Sequence, residues 1–209
     1  MRHLKKYLLL SICLCYNLCF AQIRPDISTF SSAQRTQLVT LMQQFITADV
    51  VEQHCNYDPM NMMDPHIHSE WDFLPFHRTY IEQLEDFLIL SGNPQFVPLP
   101  KWNPSTCTPV EFRVIDADCA SATCNNGGGP CNLTGINWCP NISLPTALTT
   151  NLCTKNLFTA TVPFNMSNIE GTNTSISGVI ESPWHNSVHG AMGAEMGWFT
   201  SPAMPIFFL

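Results

Sequence analysis

At 209 residues and 45% hydrophobic composition, the chain is long enough for one domain with a real core, and its 12% charged residues set it apart from disordered polyelectrolytes. Nine Lys plus Arg against sixteen Asp plus Glu give a formal charge of −7, which argues against a nucleic-acid binder, since phosphate needs a basic footprint. Ten cysteines and sixteen prolines point to a secreted, loop-rich protein.

At the start of the chain, Arg2, Lys5 and Lys6 lead into an apolar run from Tyr7 to Phe20, and Ala21 stands at a small-residue cleavage position. The run is shorter than the ~20 residues that cross a bilayer, so residues 1–21 read as a signal peptide and residues 22–209 as the mature, extracellular domain. Nothing later is long and apolar enough for a membrane span. Removing the leader takes away three bases and no acid, leaving the mature chain still more acidic.

Ser31-Ser32-Ala33-Gln34 has the S-x-x-Q form of a capping box opening a helix. Leu38, Leu41, Met42, Phe45, Ile46 and Val50 follow it at helical spacing. A second helix is predicted from about Phe76 to Leu90, ended by Ser91-Gly92-Asn93-Pro94. Its inward stripe is His77, Tyr80, Ile81, Leu84 and Leu88, with Glu82, Glu85 and Asp86 outside it. Residues 92–175 form a Cys-rich excursion, pinned by disulfides, with little regular structure beyond a few short strands. Helical character returns around His185, and no internal repeat is found.

Seven mature cysteines, Cys55, Cys107, Cys119, Cys124, Cys131, Cys139 and Cys153, contain no C-x-x-C pair, so disulfides are expected and a zinc ribbon is not. The odd number leaves one thiol without an intrachain mate. Asn132, Asn141, Asn165 and Asn173 each begin an N-x-[ST] sequon.

Six histidines remain in the mature chain: His54, His66, His68, His77, His185 and His189. A lone inward histidine is more often a hydrogen-bonded core residue than a ligand. His185 and His189, however, are four apart, which puts both rings on one side of a helix. Imidazole suits copper, zinc, iron or nickel, and such a pair is an efficient half-site.

Phe73-Leu74-Pro75-Phe76-His77-Arg78-Thr79-Tyr80, with His68 nine residues before His77, resembles the copper-A signature of tyrosinases and catechol oxidases. His185-Asn186-Ser187-Val188-His189-Gly190, followed by Ser201-Pro202 and Pro205-Ile206-Phe207-Phe208-Leu209, resembles their copper-B signature. Glu195-Met196-Gly197-Trp198-Phe199 is similar to the segment before the last copper-B ligand of plant polyphenol oxidases. His54-Cys55-Asn56-Tyr57 is similar to the sequence around their first copper-A ligand. The resemblance covers about residues 31–91 and 178–209.

That resemblance implies a mainly α fold, an antiparallel four-helix bundle holding two copper ions with dioxygen between them. It implies His54, His68 and His77 as copper-A ligands and His185 and His189 as copper-B ligands. His66 offers an alternative first ligand but is assigned a surface or supporting role. Glu181 falls where polyphenol oxidases carry a glutamate that positions a water, and with Asn186 that water would accept the proton of an incoming phenol; the plain alternative for Glu181 is a carboxylate at a helix N-terminus. Phe199 matches the aromatic that hangs over copper A and limits substrate access. Arg78 is expected to pair with an acidic neighbour and hold helices together, and Met192 and Met196 to pack rather than ligate.

The implied activity is oxidation of o-diphenols, and of monophenols, to o-quinones with dioxygen. Haemocyanin-like dioxygen binding and a non-catalytic, degenerate metal-binding domain are the alternatives. Asp58 and His66 stand where family members carry the cysteine of a thioether, so no thioether is expected. In the family the Phe-Phe-Leu run is followed by His-His, the second being the third copper-B ligand. The sequence ending at Leu209 therefore reads as a fragment with an incomplete copper-B site and little oxidase activity of its own.

Overall fold

The computed structural model describes residues 23–56, 73–124, 128–143 and 184–209. The leader, His66, His68, Cys153, Glu181 and the sequons at Asn165 and Asn173 lie outside the described residues. Within them the chain is mainly helical, as expected: α1 (Ser32–Phe45), α2 (Ala48–Cys55), α3 (Phe73–Leu90) and α4 (Asn186–Met192), with several short 3₁₀ turns besides.

The capping box at the start of α1 forms in both directions. The Ser31 Oγ accepts from the Gln34 N–H at 3.3 Å, while the Gln34 side chain accepts from the Ser31 N–H at 2.9 Å. The helical spacing through Val50 does not make one helix. Ile46 is extended and the Thr47 hydroxyl caps a new helix by accepting from the Val50 N–H, so the apolar series is split between α1 and α2. This break turns α2 and sets the direction of its last turn, where His54 sits.

α3 begins three residues earlier than predicted, at Phe73, with Pro75 in the first turn, where its missing N–H costs no helical bond. It ends in a Schellman motif. Gly92 adopts φ +79°, the Gly92 N–H donates to the Ile89 carbonyl, and the Asn93 N–H donates to the Leu88 carbonyl. Tyr80, Leu84 and Leu88 are buried as the stripe predicts, and Ile81 is half-buried. Glu85 is not outside. It is half-buried and its carboxylate accepts the Leu99 N–H at 2.7 Å, tying α3 to the start of the excursion.

The core gathers Leu38, Val39, Leu41 and Met42 of α1, Val50 and Val51 of α2, and the α3 stripe with Phe96, Leu99, Phe112 and Phe208. Phe208 stacks on Tyr80 at 5.5 Å and meets Phe45 edge-on at 5.9 Å. The Tyr80 hydroxyl donates to the Val50 carbonyl, joining α3 to α2. Arg24 threads the N-terminal stretch into this core: its guanidinium donates to the carbonyls of Leu99, Pro100 and Phe208.

No strand occurs among the described residues of the excursion; an isolated bridge between Asp26 and Lys101 takes the place of the expected short strands. The segment supplies 3₁₀ turns at Pro94–Phe96, Val110–Phe112 and Ala117–Ala120. It is closely tied to the rest. Disulfides link Cys55 to Cys124, Cys107 to Cys139 and Cys119 to Cys131. Arg35 of α1 and Glu111 form a two-pronged ion pair, Nε to Oε2 and Nη2 to Oε1, both at 3.0 Å, and Ser32 adds its hydroxyl at 2.6 Å. Asn137 closes the end of α4, its N–H donating to the Met192 carbonyl at 2.8 Å. Among the described residues no helix is long and apolar enough to cross a membrane.

Candidate metal centre

Four histidines from three helical segments converge. His54 lies in the last turn of α2 and is buried, His77 in the second turn of α3, His185 at the start of α4 and His189 one turn further on. Ring centroids are 5.6 Å apart for His54 and His77, 5.5 Å for His77 and His185, and 4.4 Å for His185 and His189. The i, i+4 pair does place both rings together. Sequence-distant His77 and His185 meet because α3 and α4 converge there.

Two phenylalanines space the rings. Phe73 packs against His77 at 4.4 Å and His185 at 4.8 Å. Phe207 faces His54 at 5.2 Å, His189 at 6.1 Å and His77 at 6.2 Å. Both residues belong to the quoted motifs, but only folding shows that they share His77 and between them touch all four rings.

His54, His77 and His189 hydrogen-bond through Nδ1 to backbone carbonyls: His54 to Phe199 at 2.8 Å, His77 to Phe73 at 2.8 Å, and His189 to Met196. A carbonyl oxygen only accepts, so Nδ1 carries the proton in each ring and Nε2 keeps its lone pair. An outer hydrogen bond of this kind fixes ring orientation and tautomer in metal-binding histidines. Burial drives the His77 pKa down to about 4, partly opposed by its bond to the Phe73 carbonyl, and burial lowers His189 as well. Both are neutral at neutral pH, the form that donates to a metal.

Beside these rings opens a cavity of about 130 Å³ walled by His54, His185, His189, Asn186, Trp198 and Phe199. That volume suits one small aromatic ring. Asn186 and Phe199 are both exposed at its edge, with the Phe199 ring 6.4 Å from His54. The carbonyl of Phe199 also orients His54, a backbone contribution that no sequence pattern reveals. Met192 and Met196 are buried in the core, in keeping with packing.

Arg78 departs from expectation. It pairs with Glu82 at 2.8 Å on its own helix, both side chains largely in solvent, because four residues along a helix bring them side by side. It joins no two helices. Cys119, Cys131 and Glu195 also bring ligand-type atoms within 4.8 Å, but the two sulfurs are bonded to each other and offer no thiolate, so this is not a metal site.

A mainly helical domain that brings four imidazoles together, with His77 and His189 kept neutral by burial, has a donor set that suits copper, zinc, iron or nickel. Residues 44–124 match the family model described as the common central domain of tyrosinase, a stretch that runs from the end of α1 to Cys124 and contains His54 and His77. This segment is similar to the tyrosinase family, a similarity that points to copper binding in general. Comparison with curated proteins and with solved structures gives no match.

Proposed function

We propose that the protein is a secreted type-3 copper oxidoreductase that takes o-diphenols, and monophenols, to o-quinones with dioxygen. His54, His68 and His77 would hold one copper, and His185 and His189 would serve the second. The observation that carries this reading is the convergence of four imidazoles, those of His54, His77 and His189 with Nδ1 donated to a carbonyl, beside a cavity of single-ring size.

Copper, when bound, supplies the one-electron exchange and the dioxygen chemistry that no side chain provides. The rest falls to the protein. Neutral imidazoles suit both Cu(I) and Cu(II), and rings carried by α2, α3 and α4 are held at fixed separation by Phe73 and Phe207. Phe199 restricts the entrance to a planar ring. Asn186 at the rim, together with Glu181, would hold the water that takes the phenolic proton. Residues 1–21 would direct the chain for secretion, and the three disulfides among the described residues accord with an oxidising compartment.

The test is metal analysis and turnover of the full-length, copper-loaded protein. Two coppers per chain and oxidation of catechol to its quinone are expected. Less than one copper per chain, or two coppers without catechol oxidation, overturns the oxidase reading.

A further inference from the structure

Two of the carbonyls that orient the histidines lie three residues apart in the chain. Met196 accepts from His189 and Phe199 accepts from His54, so one short stretch serves both halves of the site. That stretch is a 3₁₀ turn, Ala194–Gly197, followed by extended backbone at Trp198, and has no helix to hold its shape.

What holds it is Glu195. Its side chain is wholly buried, a state that a carboxylate keeps only when well hydrogen-bonded. Oε2 accepts the Cys131 N–H at 2.7 Å, and Oε1 accepts from the Thr200 hydroxyl. Thr200 Oγ1 in turn accepts the Gly129 N–H at 2.9 Å. The facing backbone is itself anchored by the Cys119–Cys131 disulfide. Gly129 is required by this closeness: a Cβ there would lie 2.5 Å from Glu195 Oε2 and 2.7 Å from Thr200 Oγ1.

We propose that Glu195 is a positioning residue for both halves of the histidine site. By clamping residues 194–200 to the Gly129–Cys131 backbone, it fixes the two carbonyls that set the His54 and His189 rings. His77 is the internal control, because its carbonyl partner, Phe73, belongs to its own helix. The proposal rests on the copper reading only for what the rings hold, and its first test is made without copper.

In the copper-free full chain labelled with ¹⁵N at histidine, the Nδ1–H protons report each ring separately. Glu195→Gln keeps the volume but loses one of two acceptors; Thr200→Val keeps the shape and loses the hydroxyl. Solvent exchange at His54 and His189 is expected to quicken at least tenfold in either variant, with His77 unchanged, and Thr200→Ser is expected to restore the native rates. Copper affinity should fall about 10- to 100-fold, as for other outer partners of metal ligands. Native exchange at His54 and His189 would overturn the proposal. So would equal quickening at all three rings together with lowered global stability, which assigns Glu195 to the fold alone. A wild-type chain that takes up no copper sinks the copper reading and leaves the exchange result standing.

Discussion

His77 and His185 pack with ring centroids 5.5 Å apart, one in the second turn of α3 and the other at the start of α4. Phe73 touches both rings, and the helix that carries it also supplies the carbonyl that orients His77. The pairing therefore depends on how α4 is docked. That docking is made by the excursion, through Asn137 at the end of α4 and the Glu195 clamp beyond it.

The Cys55–Cys124 disulfide adjoins His54 and closes a separation of 69 residues. Loop-closure entropy assigns such a cross-link about 4 kcal/mol. The double variant Cys55→Ser/Cys124→Ser is expected to lose stability of that order in urea unfolding, and to bind copper more weakly. Unfolding at the native midpoint would show that the bond constrains nothing.

Phe199 contributes to the site in two separable ways, its ring at the cavity rim and its carbonyl on His54. Phe199→Ala removes the ring and keeps the carbonyl. Because the side chain is exposed, stability should stay within about 0.5 kcal/mol of the native value. If the copper-loaded protein oxidises phenols, KM for bulky substrates should fall while copper content holds. Copper loss in this variant would mean that the side chain, not the backbone, supports His54.

Hydrogen bonds from Arg35 and Ser32 hold the Glu111 carboxyl at about 2, below its ordinary value near 4.5. A depressed native pKa favours the folded state wherever the carboxylate is ionised, so this contribution is complete above pH 4.5. It fades as pH falls toward 2. Glu111→Gln should flatten the acid limb of the stability curve in that window, and an unchanged slope in pH-dependent unfolding would count against the pair.

Tyr80 joins the helix of His77 to the helix of His54 through its hydroxyl on the Val50 carbonyl. Tyr80→Phe keeps the stack on Phe208 and deletes this bond, at an expected cost of about 1 kcal/mol. Thermal unfolding measures it. A loss several times larger would point to repacking of the ring itself.

Much of the local structure was legible in the sequence. The Ser31–Gln34 capping box, the Tyr80, Leu84 and Leu88 stripe and the Gly92 stop all obey short-range rules, in which a residue and its partner lie within one helical turn. The same locality brings His185 and His189 together. The helix break at Thr47 does not show in the helical spacing through Val50, because apolar spacing alone does not register a capping hydroxyl that restarts a helix. Glu85 was misread because its partner, the Leu99 N–H, comes from a segment without periodicity.

By itself, then, the sequence determined the helices, the residue types able to hold copper and the resemblance that orders them. Only the tertiary structure decided which rings meet and which carbonyls aim them. It also gave Glu195, legible only as part of a motif, two halves of the site to hold. The reason is physical: side-chain periodicity is written in neighbouring residues, whereas a carbonyl's direction and a buried carboxylate's partners depend on segments that meet only when the chain folds.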